Sequence, residues 1–109
     1  MLPITYKKPF SQLVGGTVVN VTTGQNISIL TFIAANPASA GYVQLFYKVA
    51  ADVTLGTTVA DTVIPFPAGG VILDVGWHIN SGHAGLSIAV TTDRTGLTGV
   101  DTDIFILHT

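Results

Sequence analysis

Pro67-Ala-Gly-Gly-Val-Ile-Leu-Asp-Val-Gly-Trp-His78 is the stretch that decides the fold. A Pro/Gly-rich turn is followed by a strict alternation. Val71, Leu73, Val75 and Trp77 share one face, and Ile72, Asp74, Gly76 and His78 share the other. A period of two residues is the signature of a strand lying on a core. Working outward, the same pattern recurs. Leu86, Ile88 and Val90 alternate with Ser87, Ala89 and Thr91; Val43, Leu45 and Tyr47 alternate with Tyr42, Gln44, Phe46 and Lys48. Residues 13–23, 26–34, 59–66 and 102–108 are also rich in β-branched side chains, and Gly, Pro, Asn and Asp punctuate the gaps. Helical periodicity is missing apart from room for one turn over 36–42. Seven to eight short strands at such spacing predict an all-β chain: a single antiparallel β-sandwich, jelly-roll-like, over residues 13–109.

The first twelve residues read differently. Pro3 and Pro9 favour extended backbone in the residues before them, and Leu2, Ile4, Tyr6 and Phe10 are apolar side chains among two lysines. Residues 1–12 are therefore expected to form an extended arm outside the sandwich. Its alternatives are a frayed terminus and an arm lying across a neighbouring subunit, with Tyr6 and Phe10 as anchors. On the second reading, deleting residues 1–10 should weaken assembly and leave melting nearly unchanged.

Composition bears on function. Only 9% of the 109 residues are charged against 48% hydrophobic, with no Cys and no Glu. Globular domains carry about 25% charged residues. A surface this poor in charge is expected to be buried in part against other chains. The net charge of -2 gives no basic footprint for nucleic acid or an anionic membrane. No apolar run approaches the length of a membrane helix, and the first residues lack the long apolar core of a signal peptide.

Catalytic chemistry finds little purchase. His78 and His83 flank Asn80-Ser-Gly82 and could share a metal with His108 or Asp74, but polar loop residues are the simpler reading and no metal is assigned. Asp101-Thr-Asp103 lacks the following Gly and distal Glu of a calcium loop. Ser87 lies on a regular strand, not a nucleophile elbow. Gly69-Gly70 is followed by no Lys-Ser/Thr and reads as a tight turn. Asp52, Asp61, Asp93 and Asp101 sit at turn positions, where carboxylates cap backbone. Tyr6, Tyr42, Phe46, Tyr47 and Trp77 could stack on sugars, although Trp77, on an alternating apolar face, reads as core. Neither an enzyme nor a cofactor is expected.

Four segments carry a resemblance. Ala40-Gly-Tyr-Val-Gln-Leu-Phe46, Val53-Thr-Leu-Gly-Thr-Thr58, Ile64-Pro-Phe-Pro-Ala-Gly-Gly70 and Gly85-Leu-Ser-Ile-Ala-Val-Thr-Thr92 resemble, in this order, small structural proteins of tailed bacteriophages. The likeness covers about residues 26–108 and departs near Val75 to His83. It implies a virion component assembled in the host cytoplasm, above all a capsid decoration (cement) protein. Its partners would be the major capsid protein and further copies of itself, as a homotrimer or homodimer, without nucleic acid or membrane. The alternatives are a tail, baseplate or fibre component and a glycan-binding β-sandwich module. Phe46 and Ile72, on the expected outer faces of their strands, are the candidate contacts beside Leu2, Ile4, Tyr6 and Phe10. Phe46→Asp and Ile72→Asp are expected to leave a folded monomer.

Overall fold

The computed structural model describes residues 8–24, 27–35, 37, 39–79 and 84–109, with nothing said of the Val75 side chain. It contains eight strands: β1 (Lys8–Val14), β2 (Val19–Thr22), β3 (Ile27–Ala35), β4 (Gly41–Phe46), β5 (Thr62–Phe66), β6 (Val71–Ile79), β7 (Leu86–Thr91) and β8 (Thr102–His108). A single 3-10 turn, Ala50–Asp52, interrupts the connection between β4 and β5.

The strands form two four-stranded antiparallel sheets, ordered β1-β8-β3-β6 and β2-β7-β4-β5. The order has a simple logic. The chain doubles back on itself so that β1 pairs β8, β2 pairs β7, β3 pairs β6 and β4 pairs β5; successive pairs then alternate between the two sheets. This is the jelly-roll arrangement of a β-sandwich.

Between the sheets, period-two alternation supplies the core. Ile29, Phe32, Ile104 and Ile106 face in from one sheet, and Val43, Leu45, Ile88 and Val90 from the other; all eight are essentially inaccessible to water. The turn into β6 shows why two glycines stand there. Gly70 donates its N–H to the Pro67 carbonyl at 3.0 Å, closing a four-residue turn. Gly69 and Gly70 have φ of +100° and +89°. A Cβ on Gly70 would fall 1.9 Å from the Ala34 carbonyl oxygen, so no other residue fits that approach.

Two sequence expectations change here. Residues 8–12 are not arm: they form most of β1, which pairs with β8 in unbroken register from Lys8↔His108 to Val14↔Thr102. Pro9 is accommodated because β1 is an edge strand, where a missing N–H costs no ladder bond if it faces outward. Residues 1–7 lie outside the described residues. Residues 13–23 do not make one strand either; a bend at Gly16-Thr17 separates β1 from β2 and carries the chain from one sheet to the other.

A third difference is a roof. On β4 and β7 five of the side chains pointing away from the core, Gln44, Phe46, Ser87, Ala89 and Thr91, are buried as completely as the core itself, and the sixth, Tyr42, is half-buried. The connections 47–61 and 92–99 lie over them. Ser87 Oγ donates to the Lys48 carbonyl at 2.8 Å, and Gln44 Nε2 donates to Thr91 Oγ1 at 2.9 Å and to the Gly96 carbonyl at 3.4 Å. Asn20 Oδ1 accepts the Ala50 N–H at 2.7 Å, and Asp61 Oδ2 accepts the Tyr47 N–H at 2.7 Å. The Leu97 side chain packs against Gly56, joining the two loops. Each buried polar group under the roof thus has a partner, which is the condition for burying it at all.

Candidate functional site: an open sheet face

The roof makes the two outer faces of the sandwich unlike. No described segment of the chain is laid over the β1-β8-β3-β6 sheet as the two loops are over its counterpart. Its outward side chains come from alternate positions, and the register lines them up in rows. Ser11, Phe105, Ile33 and Ile72 form one row across all four strands. Pro9, Leu107, Thr31 and Asp74 form the next, and Leu13, Asp103 and Ala35 lie on the other side. Three strand spacings carry each full row about 15 Å across the sheet.

The face is mostly apolar. Ile72 is 70% exposed and Leu13 59% exposed, while Ile33, Phe105, Leu107 and Ala35 are half-buried among their neighbours. Its charges, Asp74 and Asp103, are both acidic, and Thr31 Oγ1 donates to Asp74 Oδ1 at 3.3 Å. A shallow depression at one end is lined by Ile33, Ala35, Gly69, Gly70 and Ile72 and contains no titratable side chain. Such a surface can exclude water against a partner.

The sequence-predicted contacts separate. Ile72 stands where expected, outward and exposed. Phe46 does not: it points outward from β4 but is fully buried beneath the 47–61 and 92–99 connections, so it cannot meet a partner and is withdrawn as a contact. Phe10 is a half-buried residue of β1, packed against the core opposite Ile106, and is not a free anchor. Leu2, Ile4 and Tyr6 lie outside the described residues. Leu13, Ile33 and Phe105 were missed. The signal for Ile33 and Phe105 was present, since each alternates with buried neighbours, but pairing them required the β3–β8 register.

The other candidates are placed as follows. His78 is exposed, its Nδ1 3.0 Å from Ser28 Oγ, while His108 is buried with Nδ1 3.1 Å from the Thr109 carbonyl. His83 lies outside the described residues. No group of three or more His, Asp or Glu side chains converges among the described residues. Asp101 lies against Gly15, and Asp103 stands on the open face. Ser87 is buried and committed to the Lys48 carbonyl. Tyr47 hydroxyl contacts Thr62 Oγ1, and Tyr42 is half-buried. Trp77, expected in the core, is 36% exposed. It shares the inner side with Ile29 but sits on edge strand β6, which no further strand flanks among the described residues.

Comparisons of the chain with protein-family models, with curated proteins and with solved structures found no match.

Proposed function

We propose that the chain is a structural protein of a virion, most specifically a capsid decoration (cement) protein. It seats the open face of the β1-β8-β3-β6 sheet between subunits of the major capsid protein. The observation that carries this reading is the asymmetry of the sandwich. One outer face is roofed by the chain's own loops, and the other presents Leu13, Ile33, Ile72 and Phe105 with little charge around them. Apolar faces of this kind mark protein–protein contact. The resemblance of residues 26–108 to small structural proteins of tailed bacteriophages supports the same assignment, as does the low charge of the whole chain.

The test is co-sedimentation of the purified protein with empty phage heads and, separately, with isolated tails. Saturable binding to heads that Leu13→Lys abolishes, with a rise in the heads' thermal resistance, is the expected result. Binding to tails alone would move the protein to tail, baseplate or fibre. The exposure of Trp77 on edge strand β6 favours a second reading as a glycan-binding module. Binding on a glycan array that Trp77→Ala removes, without binding to heads, would establish it.

A further inference from the structure

Two four-stranded sheets leave four edges, and three of them carry protection against further strand pairing. β1 holds Pro9 and begins with an exposed Lys8. β5 is five residues long and holds an exposed Pro65. β2 is four residues long and breaks register between Asn20 and Thr22. Prolines, edge lysines, short strands and bulges are the devices by which sheets blunt their edges.

β6 differs. It runs nine residues, Val71–Ile79, with no proline and no lysine or arginine. Its one carboxylate, Asp74, takes a hydrogen bond from Thr31 on the neighbouring inner strand. Over Val71–Asp74 it pairs regularly with Ala34–Thr31, so this half of the strand keeps ladder geometry, and the irregularity falls beyond it. Among the described residues, no strand pairs with its outer side. Ile72, 70% exposed, closes the Phe105–Ile33–Ile72 row at this edge.

We infer that β6 is a self-pairing edge: two copies join β6 to β6 antiparallel about a two-fold axis at Ile72. A second copy is the occupant that the four edges select. Pro9, Pro65 and the broken β2 register oppose pairing of β6 with any other edge of a like chain. The contact is therefore isologous and closes as a dimer instead of growing into a fibre. The register follows from the side chains. Centring on Asp74 would set two carboxylates opposite each other, which cross-strand neighbours do not tolerate well. Centring on Ile72 sets isoleucine against isoleucine. The apolar row then runs Phe105–Ile33–Ile72–Ile72–Ile33–Phe105 across one eight-stranded sheet, doubling the open face. The inference does not rest on the virion reading, and its test contains no capsid.

The experiment is sedimentation equilibrium of the whole chain up to about 1 mM, a range chosen because small interfaces are weak. It is joined to hydrogen exchange of the β6 amides and to single-cysteine cross-linking. The chain has no native cysteine, so Ile72→Cys reports cleanly. The expected results are a concentration-dependent dimer, amides within Val71–Leu73 that exchange at least tenfold more slowly in the dimer, and disulfide capture of Ile72→Cys but not of Leu13→Cys. Ile72→Lys should leave a monomer with unchanged circular dichroism, and Leu13→Lys, at the far edge of the same face, should still dimerise. A monomer throughout the range, a trimer, or a dimer lost with Leu13→Lys and kept with Ile72→Lys would overturn the inference. The last result would mean face-to-face packing.

Discussion

Phe46 and Ile72 make a paired test of the roof. Both point away from the core on their strands, and alternation alone treats them alike. Phe46 is wholly buried and Ile72 is 70% exposed. Phe46→Ala should therefore behave as a core truncation and cost about 3–5 kcal/mol. Ile72→Ala should behave as a surface change within about 0.5 kcal/mol. A domain of this length has a total stability of about 5–15 kcal/mol, so the Phe46 variant loses a large part of it. At about 4 °C per kcal/mol, its melting temperature should fall by about 12–20 °C, against about 2 °C or less for Ile72→Ala. Phe46→Asp, which also buries a charge, should not fold at all. Differential scanning calorimetry of the variants at low protein concentration provides the measurement. Hydrogen exchange over 47–61 should rise in Phe46→Ala, because that loop loses what it covers. A fall of less than about 4 °C for Phe46→Ala, equivalent to about 1 kcal/mol, would refute the argument that the connections seal the second face.

Three further outcomes follow from the same contacts. Gly70→Ala should lower urea stability by several kcal/mol, since a Cβ there meets the Ala34 carbonyl at 1.9 Å on a backbone with φ of +89°. Gln44→Leu removes the hydrogen bonds to Thr91 and to the Gly96 carbonyl and should cost about 1–3 kcal/mol in chemical denaturation, with faster exchange confined first to 92–99. Deleting residues 1–10 removes the first three pairs of β1 with β8 and exposes part of the core under Phe10, so the melting temperature should drop.

Much of the fold was legible because strand periodicity is a local property. The inward set Leu86, Ile88, Val90 and the outward position of Ile72 could be read from residues two apart. What could not be read depends on distant partners. Lys8 to Gln12 looked like an arm because Pro9 argues against a strand locally, and only pairing with β8, about a hundred residues away, makes it an edge. Phe46 looked like a contact because alternation assigns a direction and not an environment. The clue lay in the long 47–61 connection, which carries Val49, Val53 and Leu55 and had to pack somewhere. The small outward residues of β7, Ser87 and Ala89, leave room for it to lie close. The open face itself was half legible: its residues were visible singly, and its rows only through register.

The pairing of β1 with β8 also governs how the protein bears load. Lys8 stands opposite His108, so the described chain enters and leaves at the same pole. A pull applied between those two residues would open the ladder bond by bond from that end, as a zipper parts. Cargo or tethers attached at Lys8 and His108 would project from one pole and would separate the strands under modest force.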